Sequence, residues 1–500
     1  MLVAPPPHGA LEFVSAANRS ALSRRARSGQ AIRLSAGIYA LGATLPPEDV
    51  ARHHLYAVIA HHWPGSVLCG KTALAGGVPV DGDVFVAAPE PGRTAPLRLP
   101  GITVHPTVGP APLPGDMALP HGLHLSGLAR QIVENVDVAG RPPRFRAGTS
   151  AAEDRIDEFA RSGGAGRILE VLAELDVIAG SFNHRSVEAT RSRLASVLGS
   201  FTGDVRSPRL RARISGAPYD EHRVQMLRNL VSELEALAPA PVPADTSSRW
   251  KWLPFYEAYF SNFIEGTEFG VDEARRIAVE GHEPADRPDD AHDVVATYRL
   301  ANDPGDRERV PRAGDDLADI LRERHAALMA ARPDKRPGLF KEKYNDAGGY
   351  QFVDPELVAG TLRTGFEVLN SAMDPLVRAV AMMVLVTEVH PFDDGNGRVA
   401  RLTVNAELSR AGQARIIIPT VFRNNYLAGL TAVSNGRTGA ARSLLSIMEF
   451  AQRWTAAVDW GSYDGAHAQV EAAHGFIDSG YAESQGLRLE LPRAPDEFPN

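Results

Sequence analysis

Apolar residues recur at helical spacing through most of this chain and alternate like strands only near its start. Over residues 151–238 one helical face is built by Ile168, Leu169, Val171, Leu172 and Leu175, and another by Val224, Met226, Leu227, Leu230, Val231 and Leu234. The stretch 250–269 predicts an aromatic-rich helix, with Trp252, Phe255, Tyr256, Tyr259, Phe260 and Phe263 dense enough to enter a core. Pro254 fits that helix only in its first turn. Further helices are expected over 291–300, 317–331, 355–370, 376–389 and 441–480, with a polar turn over 303–315 and a frayed tail from Glu483. Residues 379–386 are an unbroken apolar run without Gly or Pro, which reads as a buried helix. The run is too short for a bilayer, which needs about 20 apolar residues.

The first 130 residues read differently. A helix is expected over 11–27, ending in Arg24, Arg25 and Arg27. Two strands follow, 31–35 and 38–41, joined by Ala36-Gly37, then a helix over 47–62 and another beginning at 66–74. Residues 84–87 and 102–105 read as strands and 125–136 as a helix. Helix plus hairpin with arginines at its root is the outline of a winged helix. Gly70-Lys71-Thr72 lacks the earlier glycine of a phosphate-binding loop, so no nucleotide site is expected there. His105, His121 and His124 lie outside metal-ligand spacing and are expected to be surface or core residues.

The densest chemistry lies at residues 390–401, HPFDDGNGRVAR. Pro391 stops the apolar helix just after His390, and Gly395, Asn396 and Gly397 permit unusual backbone angles. Helical spacing resumes with Val399, Leu402, Val404 and Leu408. The prediction is helix, tight loop, helix, with backbone N–H groups at the second helix forming an anion site. His390 suits a general base. Asp394 suits a magnesium ion held mainly by phosphates. Arg398 and Arg401 share a helix face and suit phosphate oxygens. Together these groups describe phosphoryl or nucleotidyl transfer.

This loop resembles the signature of the Fic family, H-P-F-x-[DE]-G-N-G-R-x-x-R, with every fixed position met. The resemblance implies transfer of a nucleotide monophosphate, most often AMP from ATP, to a protein hydroxyl. It implies His390 as the base, Phe392 packed under the loop and Asp394 holding Mg2+. Gly395, Asn396 and Gly397 would cradle the phosphates, Arg398 and Arg401 would contact the outer ones, and Asn425 and Tyr426 would lie near the nucleotide. Ser261-Asn262-Phe263-Ile264-Glu265-Gly266 resembles the inhibitory motif [ST]-x-x-x-E-[GN] of regulated family members. Charge pairing explains how it would act: Glu265 presented to Arg401 takes the guanidinium that a γ-phosphate needs. Pro337-Gly338-Leu339-Phe340-Lys341 resembles the opening of the family's β-hairpin flap. The hairpin would span 343–352 with Gly348-Gly349 near its tip, and Lys341, Tyr344 and Asn345 would be flap residues. The N-terminal pattern, Ile32-Arg33-Leu34 with Gly37-Ile38-Tyr39 and then Ser66-Val67-Leu68 before Thr72-Ala73-Leu74, resembles AbiEi-type antitoxins or transcriptional regulators.

The expected fold is therefore mainly α: a Fic-type helical core with a β-hairpin flap, plus an N-terminal α+β winged-helix-like region. Its expected parts are that region over 1–130, a helical spacer over 151–238, the inhibitory region over 245–285, the catalytic core over 290–440 and a helical tail over 441–500. The Pro-, Gly- and Arg-rich run 137–150 and the Pro/Ala run 239–243 mark the expected boundaries. A net charge of −8 argues against nonspecific nucleic-acid binding by the whole chain. Residues 1–100 alone are basic, with 9 Lys and Arg against 6 Asp and Glu. The single cysteine, Cys69, excludes an intramolecular disulfide and fits a reducing cytosol. The first residues lack the pattern of a signal peptide, so the expected location is cytoplasmic, with no membrane partner. The leading expectation is a self-inhibited adenylyltransferase acting on Ser, Thr or Tyr of a target protein. A DNA-binding regulator or antitoxin that uses the core as a nucleotide sensor, and removal of AMP with Glu265 as base, stay open. So do another nucleotide or phosphocholine donor, and a homo-oligomer.

Overall fold

In the computed structural model the chain divides into two units, Met1–Gly216 and Ala217–Asn500. The structure describes residues 7–90, 92, 94–136, 144–199, 205–244 and 248–492. The first unit opens with β1 (Ala10–Phe13), α1 (Arg19–Arg27), β2 (Ala31–Ser35) and β3 (Ile38–Leu41). Next come α2 (Pro47–His53), α3 (Leu55–His62), β4 (Val67–Leu68), α4 (Gly70–Leu74), β5 (Asp83–Ala88), β6 (Leu97–Leu99), β7 (Ile102–Val108), β8 (Met117–Ala118) and β9 (His124–Leu125). It closes with α5 (Leu128–Asn135), α6 (Thr149–Ile178), α7 (His184–Val197) and α8 (Pro208–Ile214).

The paired strands at 31–35 and 38–41 form as expected, antiparallel, but β1 joins them in the order β1-β3-β2. The helix expected over 11–27 is thus a strand followed by a shorter helix. Asn18 makes the turn, accepting from Ser15 N at 2.7 Å and donating to Phe13 O at 3.0 Å. The helix expected over 47–62 breaks at His54, and residues 67–68 join a sheet before α4 begins. That sheet has six strands in mixed order, β6-β7-β5-β4-β9-β8, over a core that includes Val50, Val58, Ile59, Val84 and Val104. Of the expected boundary at 137–150, residues 137–143 lie outside the described residues. Beyond them Phe145 packs with Cys69 and Phe85, and Arg144 pairs with Asp83 at 2.8 Å, so this part is anchored.

The second unit begins with α9 (Glu221–Glu235), α10 (Leu253–Ile264), α11 (Val271–Glu280), α12 (Pro288–Asn302) and α13 (Gly314–Leu328). A hairpin of β10 (Asp346–Ala347) and β11 (Tyr350–Gln351) leads to α14 (Val358–Leu369), α15 (Pro375–Val389) and α16 (Asn396–Arg410). Then come α17 (Arg423–Ser434), α18 (Ala440–Ala457), α19 (Tyr463–Ala472) and α20 (Ser479–Gln485). The expected spacer over 151–238 is divided: α6 to α8 belong to the first unit, while Leu227, Leu230, Val231 and Leu234 of α9 enter the core around α15. The run 239–243 is pinned rather than loose, since Ala414 N donates to Val242 O at 2.8 Å and Ala244 N to Gly412 O at 2.9 Å.

The apolar run forms α15 because Asp374 caps it, accepting from Leu376 N at 2.8 Å and Val377 N at 3.0 Å, with Pro375 in the first turn. Its residues 379–386 are buried at the centre of the unit, against α16 and α9. The aromatic helix α10 holds Pro254 in its first turn and buries Phe255, Tyr256 and Phe260 against Trp454 and Trp460. Among the described residues no helix is long and apolar enough to cross a membrane. The described residues are mainly helical, with the three- and six-stranded sheets near the N-terminus and the two-stranded hairpin in the second unit.

Candidate active site

α15 ends at His390, which takes left-handed backbone angles (φ 48°, ψ 60°) and turns the chain into the loop before α16. The loop is braced from within. Asn396 accepts from Phe392 N and donates to Phe392 O, both at 2.9 Å. Phe392 is fully buried and stacks on His325, ring centres 3.8 Å apart. Gly395, at φ 73°, caps α16, where a side chain would be strained and would press on Met329.

A cavity of about 280 Å³ opens above this loop, lined by His390, Gly397, Arg401, Tyr426, Glu265 and the flap residue Phe352, among others. His390 Nδ1 lies 3.3 Å from Thr387 O, and as donor to that carbonyl it leaves Nε2 as the acceptor. Burial lowers the His390 pKa to about 4, against the smaller opposite pull of the Thr387 carbonyl, so the ring is neutral at pH 7. A neutral, oriented imidazole in a cavity can take a proton from an incoming hydroxyl.

Glu265 follows the last residue of α10 and reaches Arg401 Nη2 at 2.6 Å. Arg401 also donates through Nε to Ser261 Oγ at 2.9 Å and through Nη2 to Ser261 O at 2.8 Å. A Cβ built on Gly397 would run into Glu265 Oε1. The carboxylate therefore stands over the start of α16, where the helix favours an anion. Burial pushes the Tyr426 hydroxyl up while the neighbouring Arg401 pulls it down.

Two expected site residues are elsewhere. Arg398 does not line the cavity: it is 3% exposed and turns into the core, where Nη1 pairs with Asp293 Oδ2 at 2.7 Å. The spacing of three residues put both arginines on one face, but the acid on α12 claims the first. Asn425 is exposed and outside the cavity lining, because α17 turns Tyr426 inward instead. Asn396 braces the loop with its side chain. Asp394 is half-buried, with Oδ1 accepting from Gly395 N at 2.6 Å. A lone, partly open carboxylate fits a cation completed by phosphate oxygens. Among the described residues no three metal-ligating side chains converge, so such an ion would depend on them.

The flap is a hairpin with Gly348-Gly349 at its tip, as expected. Its opening residues hold the loop rather than face outward. Lys341 N donates to Pro391 O at 2.8 Å, and its buried Nζ donates to Asn345 Oδ1 at 2.6 Å and Val389 O at 3.2 Å. Burial lowers the Lys341 pKa to about 8, partly offset by Asp354 and Asp393. Asn345 Nδ2 in turn donates to Phe392 O at 3.1 Å. Tyr344 is exposed. Phe352, which the sequence reading did not single out, stacks on His390 with ring centres 3.9 Å apart. Glu388, Tyr350, Ser434 and Arg223 were also missed. The signal available was Glu388, the one acid in a mostly apolar helix.

Residues 316–408 match the Fic/DOC family. The chain is 34% identical over 124 residues to protein adenylyltransferase fic-1 of Caenorhabditis briggsae, a stretch covering 24% of each chain. It is 27% identical over 226 residues to protein adenylyltransferase Fic of Drosophila yakuba, covering 43% of this chain and 44% of that one. The chain thus spans less than half the length of these curated relatives. Among solved structures, Fic-1 (residues 134–508) of C. elegans aligns at a TM-score of 0.35 and 19% identity, covering 60% of this chain and 86% of that one. A Fic domain-containing signalling protein of Bacteroides thetaiotaomicron aligns at a TM-score of 0.37 and 18% identity, covering 53% and 98%.

Proposed function

We propose that this chain is a self-inhibited protein adenylyltransferase. A Ser, Thr or Tyr hydroxyl of a target protein attacks the α-phosphate of ATP in line. The new bond joins the hydroxyl oxygen to the α-phosphorus, the bridging bond to the β-phosphate breaks, and pyrophosphate leaves. His390 Nε2 takes the hydroxyl proton. The backbone N–H groups at Asn396 and Gly397 and the Arg401 guanidinium hold the phosphates. Asp394 would hold a Mg2+ ion, which offsets phosphate charge when bound. The flap presents the target segment as an added strand.

The observation that carries this reading is the occupied anion cradle: Glu265 holds Arg401 at 2.6 Å and covers Gly397, beside a neutral His390. A carboxylate standing where a phosphate would bind explains both the site and its restraint. The relatives named as protein adenylyltransferases support it over the matched segment. The test uses Glu265→Gly with Mg2+, cell lysate and ATP labelled at either the α- or the γ-phosphate. Over the same lysate without this chain, the proposal expects added label on protein from the α-position only. Label from the γ-position only would mean phosphoryl transfer and would overturn it.

A second reading concerns the N-terminal unit. Arg19, Arg24, Arg25, Arg27 and Arg33 are all exposed on α1 and β2, and among the described residues they make no ion pair. Unpaired arginines on a helix beside a hairpin support DNA contact, in keeping with the AbiEi-like pattern. Binding of the full chain to its own promoter DNA should then weaken steeply with salt and drop on replacing Arg24, Arg25 and Arg27 by Ala. Binding unaffected by that triple replacement would remove this reading.

A further inference from the structure

Glu388 lies two residues before His390 and is 4% exposed, yet no part of the reaction above uses it. A carboxylate buried this deeply needs partners, and it has three from three different elements. Tyr350 of β11 donates its hydroxyl to Oε2 at 2.6 Å. Arg223 of α9 pairs with the same oxygen at 3.0 Å. Ser434, the last residue of α17, donates to Oε1. Arg223 grips the flap three times: Nη1 donates to the Tyr350 hydroxyl, Nη2 donates to Gln351 O at 2.7 Å, and its guanidinium covers the Tyr350 ring at 4.7 Å. The next residue, Phe352, packs edge-on against Tyr350 and stacks on His390.

The outgoing strand of the flap is thus tied to the helix that carries the base. We propose that Glu388 is a positioning residue: through Tyr350 and Arg223 it clasps the flap against α15 and so sets an acceptor strand in register with His390. This rests on the function proposed above. The carboxylate borders the same cavity as His390, but both its oxygens are taken up by Tyr350, Arg223 and Ser434, so it acts through the flap. Its consequence is a division of labour. Lys341 and Asn345 brace the loop from the incoming side of the flap, and Glu388 fixes the outgoing side. Losing the clasp should therefore impair transfer to protein more than any chemistry that needs no acceptor strand.

The test compares Glu265→Gly with Glu265→Gly carrying Tyr350→Phe or Glu388→Gln. Tyr350→Phe keeps the ring and removes only the hydroxyl, so it covers the case in which Glu388→Gln fails to fold. The first readout is amide hydrogen exchange at Phe352, whose N–H donates to Asn345 O within the flap. Loss of a bond to a charged group should speed this exchange about 10- to 100-fold. The second is the partition of α-labelled ATP between lysate protein and free AMP released to water. The protein share should fall at least about tenfold while ATP binding, read by thermal shift, stays the same. Unchanged exchange would overturn the clasp. Faster exchange with an unchanged partition would show a structural tie only and overturn the positioning role. If the Glu265→Gly parent labels no protein, the proposed function fails instead, and exchange at Phe352 still decides whether the clasp exists.

Discussion

Replacing Glu265 by Gly removes the carboxylate that holds Arg401. The pair is close, 2.6 Å, but unevenly buried, with the Arg401 side chain 10% exposed and that of Glu265 28%. Breaking a fully buried ion pair costs about 3–5 kcal/mol. Here solvent reaches the carboxylate, and Arg401 keeps its bonds to Ser261 Oγ and Ser261 O. The loss should therefore lie nearer that of one charge-assisted hydrogen bond, about 2 kcal/mol. For a unit of this size that lowers Tm by about 3–4 °C without nucleotide. ATP at a hundredfold excess over its Kd contributes about 2.7 kcal/mol to the folded state, and in the variant it meets an unopposed Arg401 and an open Gly397. In the wild type the same ATP must compete with Glu265. So Glu265→Gly should melt lower than the wild type alone, gain more on adding ATP and Mg2+, and modify itself or lysate proteins faster. Adding Arg401→Ala should cancel the activation. The assay is thermal melting with and without ATP-Mg2+, beside transfer of α-labelled ATP. Equal ATP shifts in wild type and Glu265→Gly, with equal transfer, would refute the switch and leave Glu265 an ordinary helix end.

Two further outcomes follow from the buried groups. His390 and His325 are each lowered to about 4 by burial. Between pH 6.5 and about 4 the unfolded chain binds the extra protons, so stability should fall as pH drops, by up to about 2.7 kcal/mol per pH unit for the two together. Urea unfolding at pH 7 and pH 5 measures this, and equal stabilities would contradict the buried neutral rings. Arg398→Ala removes one of the two arginines on Asp293, leaving the Arg332 pair at 3.1 Å, and should cost about 1.5–3 kcal/mol, the range for a hydrogen bond to a charged group. Arg398→Lys, if folded, should bind ATP like the parent, because Arg398 does not face the cavity; a large loss of ATP binding would put that arginine back on the phosphates.

The loop itself was legible in the sequence because its geometry is local. A proline after His390, glycines at 395 and 397 and an apolar run before them dictate helix, turn and helix without help from the rest of the chain. The Glu265–Arg401 pair was legible for another reason: a motif joined two segments that are distant in sequence. What stayed hidden depends on partners with no local signal. Arg398 looks like Arg401 until Asp293 of α12 is brought beside it. Arg223 sits on a helix whose pattern suggested a spacer, yet it grips the flap. At the N-terminus, β1 reads as the start of a helix because four residues give too little alternation, and pairing with β3 decides its state. The two-residue strands β4, β8 and β9 are likewise set by neighbours in the sheet.

The central claim is that His390 is the base in transfer of AMP to a protein hydroxyl. It is tested most directly by comparing Glu265→Gly with Glu265→Gly/His390→Ala in the transfer of α-labelled ATP to protein, with ATP binding followed by thermal shift. The account predicts that the double variant still binds ATP but loses transfer by about 10²–10⁴-fold, the range expected for removing a general base. Transfer by the double variant at the rate of its parent would contradict it.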